Sequence, residues 1–230
     1  MKTAVLATMI SLAFFGTGCL HNDPVEPEII IEPTFYVLVS RDTISAGEHL
    51  GIRVSADPEN AYAALQNLRE TKGIPYVNVV SNIFSNVNEL DSRIHLYQSI
   101  FLDERKGTDS GIQISFEAGK VKSIYLNSGK QLAQWPLKEN ASTSVRIGDP
   151  ADALHGKLIK IQSKNAYANK FERISLFTKE LASRYDPIMT QSPQWYFRYM
   201  TAPKLYEHVE IMMANGKVTY LVVSTYKDPS

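Results

Sequence analysis

Cysteine is nearly absent from this sequence. Its 230 residues hold one, Cys19, which excludes both a disulfide framework and a cysteine-based zinc site. Net charge is missing too: 24 basic side chains balance 24 acidic ones, leaving no basic surplus to displace counterions, so no nucleic-acid partner is expected. No apolar run reaches the roughly 18–20 residues that cross a bilayer as a helix. Signatures of chemistry are equally scarce. There is no Gly-x-Ser-x-Gly nucleophile elbow, and none of the five His has another four residues away, as a zincin helix requires. Gly107-Thr108-Asp109-Ser110-Gly111 lacks the Lys and following helix of a phosphate loop, and reads as a hairpin loop. Asp103-Glu104 stand beside Arg105-Lys106, a solvated, self-neutralised turn rather than a calcium site. His95 and His208 sit on or beside strand candidates and could titrate near neutral pH, but surface or hydrogen-bonded imidazoles account for them. Neither catalytic residues, a metal site nor a cofactor is expected.

What is present begins with an address. Met1-Lys2-Thr3 is a short positive start, Ala4 to Phe15 is apolar, and small residues follow up to Gly18, which together describe a signal peptide over residues 1–18. Gly16-Thr17-Gly18-Cys19 resembles the lipobox of bacterial lipoproteins, with Gly16 where that family usually has Leu. The resemblance implies a diacylglyceryl group on Cys19, an anchor in the cell envelope, and, with Leu20 rather than Asp after the cysteine, the outer membrane. Residues 19–34 then read as the lipidated Cys and an extended tether, since Leu20 to Pro33 holds three prolines and four acids.

The remainder carries an internal similarity. Ile112 to Ser128 and Val209 to Thr225 are both apolar alternations broken by Gly-Lys-Val, and their turn glycines, Gly119 and Gly216, lie 97 residues apart. Each reads as a hairpin turning on Ala118-Gly119 or Asn215-Gly216. Upstream, Asp57-Pro58 and Asp149-Pro150 each supply an N-cap and a first helical residue. The stripe Ala61, Ala64, Leu65, Leu68 follows the first, ending near Gly73; Leu154, Leu158, Ile161 follows the second. Further strands are expected over Val77 to Phe84 and Ile94 to Leu102, and over Ile174 to Leu181 and Gln194 to Met200. The expected fold is α+β: two tandem repeats, each one N-terminal helix packed on a four-stranded antiparallel meander sheet. Residues 35–140 would form the first repeat with an extra N-terminal strand, and residues 141–230 the second.

One capped helix, then a meander with Gly-Lys-Val before its last strand, resembles the β-lactamase inhibitor protein fold and the small outer-membrane assembly lipoproteins of the BamE/SmpA type. The second repeat carries the likeness in Val145, Ile147-Gly148, Trp195-Tyr196 and Gly216-Lys217-Val218; the first lacks the Trp-Tyr pair and the Gly. The resemblance implies a protein-binding module with an open sheet face.

Period-two alternation assigns the faces. Ile112, Ile114, Phe116, Val209, Ile211, Met213, Ile124, Leu126, Leu221 and Val223 should face the helices, as should Trp195, Phe197 and Tyr199. The exposed set would contain His95, Tyr97, Phe101, Tyr125, Tyr196, Arg198, Met212 and Tyr220, with Val222. Tyr, Phe, Met and Arg are the residues of interface hot spots. These are the expected partner-binding residues of a lipid-anchored, non-catalytic protein acting as inhibitor, immunity protein or assembly factor, its partner another protein. The competing reading is a ligand-binding or enzymatic lipoprotein with a cleft between the repeats.

Overall fold

The computed structural model describes residues 36–229, so the signal segment, Cys19 and the tether lie outside the described residues. Strand β1 (Val37–Ile44) leads through β2 (Glu48–His49) and β3 (Ile52–Arg53) to helix α1 (Pro58–Lys72). Next come β4 (Tyr76–Val79), β5 (Ile83–Phe84), β6 (Ser99–Asp103) and the hairpin of β7 (Ile112–Glu117) and β8 (Lys120–Leu126). Short strands β9 (Gln131–Leu132), β10 (Gln134–Trp135) and β11 (Val145–Arg146) precede α2 (Leu154–Gln162). The chain ends in β12 (Arg173–Leu176), β13 (Thr178–Glu180) and the meander β14 (Gln194–Ala202), β15 (Leu205–Ala214) and β16 (Lys217–Lys227). The fold is mixed α+β, with two α-helices among the described residues and antiparallel pairing in both large sheets.

Helix α1 starts at Pro58 and stops at Gly73, whose φ of 68° lets its N–H turn back to the Arg69 carbonyl. Asp57 is extended, as an N-cap should be, but its carboxylate accepts Lys217 Nζ at 2.6 Å instead of a helical amide. Both hairpins turn on two residues of positive φ, 49° and 72° at Ala118-Gly119 and 51° and 68° at Asn215-Gly216.

Two six-stranded sheets result, ordered β1-β16-β15-β14-β4-β13 and β5-β12-β6-β7-β8-β9. Their registers match. Val79 pairs with Trp195 and Asn78 with Tyr196, as Leu176 pairs with Ile100 and Ser175 with Phe101. Each final hairpin carries a register shift at the same place, Ser115/Phe116 and Met212/Met213. Val218 exchanges backbone bonds with Ser55 and Ala56, and Val121 does so with Gly148 and Asp149.

The helices, however, do not sit on the hairpins of their own halves: α1 shares a core with β4, and α2 with β12, but each covers the hairpin of the other half. Tyr62, Leu65 and Leu68 of α1 share a core with Trp195, Phe197, Val209, Ile211 and Leu221. Leu154, Leu158 and Ile161 of α2 share the other core with Ile100, Leu102, Ile114 and Ile124. The expected boundary at 140/141 therefore cuts through both cores. One core draws on residues between Val87 and Leu176; the other, on residues before and after that span, encloses it in sequence. The physical cause is the backbone pairing just described, which carries each pre-helix segment to the hairpin of the other half.

Four further expectations change. Val77 to Phe84 and Ile174 to Leu181 are each two strands, broken so that β4 and β13 join one sheet while β5 and β12 join the other. Ile94 to Leu102 opens with a 3-10 turn at Ile94–Leu96 and extends only from Ser99. The N-terminal strand pairs with β16, in the sheet of the second half. Val222 is buried at 6% exposure, because β1 flanks β16 and sets Thr43 beside it.

Candidate functional site

Strand alternation puts the helices on one side of each sheet and leaves the other side free. The free side of the first-listed sheet is carried by β14 to β16. Tyr196 stands opposite Glu210, Arg198 opposite His208, Met200 opposite Tyr206, and Gln194 opposite Met212, which in turn faces Tyr220. Met200 is 59% exposed and Tyr220 37%, far outside the core pattern of their neighbours Tyr199 and Leu221. Arg198 is the organiser of this face. Its guanidinium lies 4.5 Å from the Tyr36 ring centre and 4.4 Å from that of Tyr206, and donates to the Tyr36 hydroxyl at 3.2 Å. The two rings meet edge to face, 5.7 Å apart at 80°, and the cation of this stack sits over both. Tyr36 and Arg198, together with His208 and Tyr226, line a hollow of about 200 Å³. Burial lowers the His208 pKa, overriding the pull of Glu210 and reinforced by Arg198 and Arg41.

The two free faces join. The Phe101 ring lies 6.5 Å from Phe177, and Phe177 lies 6.0 Å from Tyr196, each edge to face. Phe177 occupies the single residue between β12 and β13, where the chain crosses from one sheet to the other. On the β5-β12-β6 side of this crossing lies a groove of about 450 Å³, lined by Val80, Ile83, Phe101, Phe177, Arg173 and Ser175 among others.

Behind the crossing is a buried polar cluster that ties the halves together. Lys179 is fully buried, and its ammonium donates to the Tyr62 hydroxyl at 2.9 Å, the Glu180 carbonyl at 3.1 Å and the Ser183 hydroxyl. Burial depresses the Lys179 pKa to about 8 against the pull of Asp186 and Glu180, and the same burial raises Tyr62 to about 12. Beside it, Tyr97 donates to Asp186 at 2.9 Å and accepts from Asn82 at 3.0 Å, while Arg93 approaches Asp186 at 3.4 Å. A Lys–Ser contact invites a catalytic reading, but the geometry is committed elsewhere. All three ammonium donors are used, and the Ser183 hydroxyl donates to the Glu180 carbonyl at 2.7 Å. Among the described residues, no group of three or more His, Cys, Asp or Glu is placed to hold a metal ion.

Of the expected face residues, Tyr196, Arg198, Met212 and Tyr220 share the free side of one sheet, and Phe101 and Tyr125 that of the other, in register through Gln113. Two do not join them. Tyr97 is 2% exposed and belongs to the buried cluster, because the 3-10 turn before it resets the alternation. His95 is exposed on that turn, off the sheets. Cys19 lies outside the described residues. The expected self-neutralised turn is also different. Asp103 is 6% exposed and ties the loop by accepting from Thr108 and Asn127, and Glu104 pairs with Lys170 at 2.6 Å. Burial alone would raise the Asp103 pKa; the Thr108 and Glu104 bonds and nearby Lys170 outweigh it and hold the carboxyl below its usual range.

Sequence reasoning missed Tyr36, Tyr206, Phe177 and the Lys179 cluster. One signal was available: Ile174 and Leu176 share a phase that Leu181 does not, so a strand through all three must break between them. Comparison with protein-family models, curated proteins and solved structures returns no match for this chain. The class that the coordinates define is thus a mixed α+β protein of mostly antiparallel sheets with two joined free faces.

Proposed function

We propose that this chain is a non-catalytic protein-binding module, held to the envelope by a lipid on Cys19 and presenting its free sheet faces to a protein partner. The observation that carries the reading is the continuity of Phe101, Phe177 and Tyr196 with the Tyr36–Arg198–Tyr206 stack. Aromatic rings and Arg, rigid and already ordered, lose little entropy on docking and dominate interface energetics. The matched registers support a further reading, that the chain arose as a tandem duplication whose two copies exchanged their helices. That reading agrees with the resemblance to β-lactamase-inhibitor-protein-like and BamE-like repeats, and it makes the two faces related surfaces on one side of the molecule. The outer membrane is the proposed location, with residues 20–34 as spacer.

The test is capture from envelope extract with the chain as bait. A stoichiometric protein partner should be retained, and Tyr196→Ala or Tyr220→Ala should weaken its retention about tenfold or more with the melting temperature held. Retention unchanged by both substitutions would remove the face from the account.

A further inference from the structure

The groove beside Phe177 holds polar groups that the fold leaves uncommitted. Arg173 is exposed and makes no hydrogen bond or ion pair among the described residues. Its register partner is Asp103, but both Asp103 oxygens are taken: Oδ1 by the Glu104 amide and Thr108 hydroxyl, Oδ2 by the Thr108 amide and Asn127 side chain. Asn82, 2% exposed on the same wall, spends both amide hydrogens on Tyr97 and the Leu176 carbonyl, and its own carbonyl has no donor. Unpaired buried acceptors are rare. Around these groups the walls are apolar: Ile83, 40% exposed, with Phe101 and Phe177. Apolar walls with a few convergent polar groups are the usual make-up of a ligand site.

We propose that this groove seats a loop of the protein partner that presents an apolar side chain next to a carboxylate. The apolar side chain enters between Ile83 and the Phe101–Phe177 pair, and the carboxylate pairs with the Arg173 guanidinium. The proposal rests on the partner-binding reading above and names the chemistry at its centre. A single guanidinium with an ionised Asp103 beside it suits a monoanion; a phosphate dianion would meet repulsion from that carboxylate. The groove adjoins the Phe101–Phe177–Tyr196 run of the proposed partner face, so a loop of a protein docked on that face reaches it.

The test uses the full chain, 15N-labelled in nonionic detergent, and three probes followed by amide chemical shifts. They are acetyl-Gly-Ser-Phe-Glu-Ser-Gly-amide, the same peptide with Gln for Glu, and dodecanoate. The Glu peptide should shift the Ile83 and Ser175 amides and bind about tenfold more tightly than the Gln peptide, the worth of one charge-assisted pair. Arg173→Gln should abolish that tenfold preference without changing the melting temperature, since the Arg173 side chain makes no hydrogen bond or ion pair among the described residues. Equal binding of the two peptides, a preference surviving Arg173→Gln, or shifts produced by dodecanoate alone would each overturn the proposal. So would a groove untouched by millimolar peptide; if Tyr196→Ala still released the captured partner, the face would stand and only the groove assignment would fall.

Discussion

Lys179 shows how a single residue can be held at a cost the fold then exploits. A fully buried ammonium is tolerated because Tyr62, Ser183 and the Glu180 carbonyl take its three donors, with the Tyr62 ring 5.0 Å away and Tyr97 5.7 Å away. Its folded pKa of about 8 lies below its ordinary 10.5, so between those values the unfolded chain binds a proton that the folded chain has released. Stability therefore rises with pH from 8 towards 10.5, by about 3 kcal/mol at the limit, and below pH 8 the penalty is fully present. Tyr62 acts in the opposite sense: raised from 10.0 to about 12, it lets the unfolded phenol ionise first, and stability is lost as pH passes 10. The clean window is pH 8 to 10. Urea unfolding of the wild type should show stability climbing by about 2 kcal/mol across it, and Lys179→Met should flatten the slope. An unchanged slope in the variant would mean that Lys179 is solvated. None of this was legible from the local sequence, since a Lys in an alternating segment reads as a solvent-facing residue. Tyr97 misled for a related reason: alternation presumes a strand, and the 3-10 turn at Ile94–Leu96 ended it.

At the scale of elements, the existence and type of the long segments could be read, but not their partners. Asp57-Pro58 and Gly73 bracket α1, the Gly-Lys-Val hairpins turn where positive φ is required, and Trp195, Phe197 and Tyr199 are core. A hydrophobic stripe says which side of a helix is buried and nothing about which sheet covers it. The pairing of Ser55 with Val218 and of Gly148 with Val121 decides that, through contacts far apart in sequence. Leu154, Leu158 and Ile161 are all 0% exposed, and at about 1.5–3 kcal/mol each they contribute roughly 5–9 kcal/mol to a core whose strands β6 to β8 lie in the other half. Domains are stable by only about 5–15 kcal/mol, so a half without its covering helix should not hold together. Fragments 35–140 and 141–230, expressed separately, should each lack a cooperative unfolding transition, and mixing them should restore one. Two fragments that each melt cooperatively alone would show that the exchange is dispensable.

For the molecule as a whole, the crossing at Phe177 has a structural consequence. It locks the two sheets into one body and brings their free sides edge to edge, so that rings from both halves touch. Composition and alternation indicated an exposed aromatic face, and Tyr196, Arg198 and Tyr220 are on it. Continuity between the faces was not readable, because it depends on a residue that lies between two strands. Nor was the Tyr36–Arg198–Tyr206 stack, which needs the register of β1 on β16 and brings together residues 162 positions apart. Site-specific photo-crosslinking in intact cells tests the central claim most directly. A photoreactive residue placed at Tyr196 or Tyr220 should yield one discrete protein adduct, while the same residue at Glu70, exposed on α1, should yield none. Adducts from Glu70 with none from the sheet face would contradict the account.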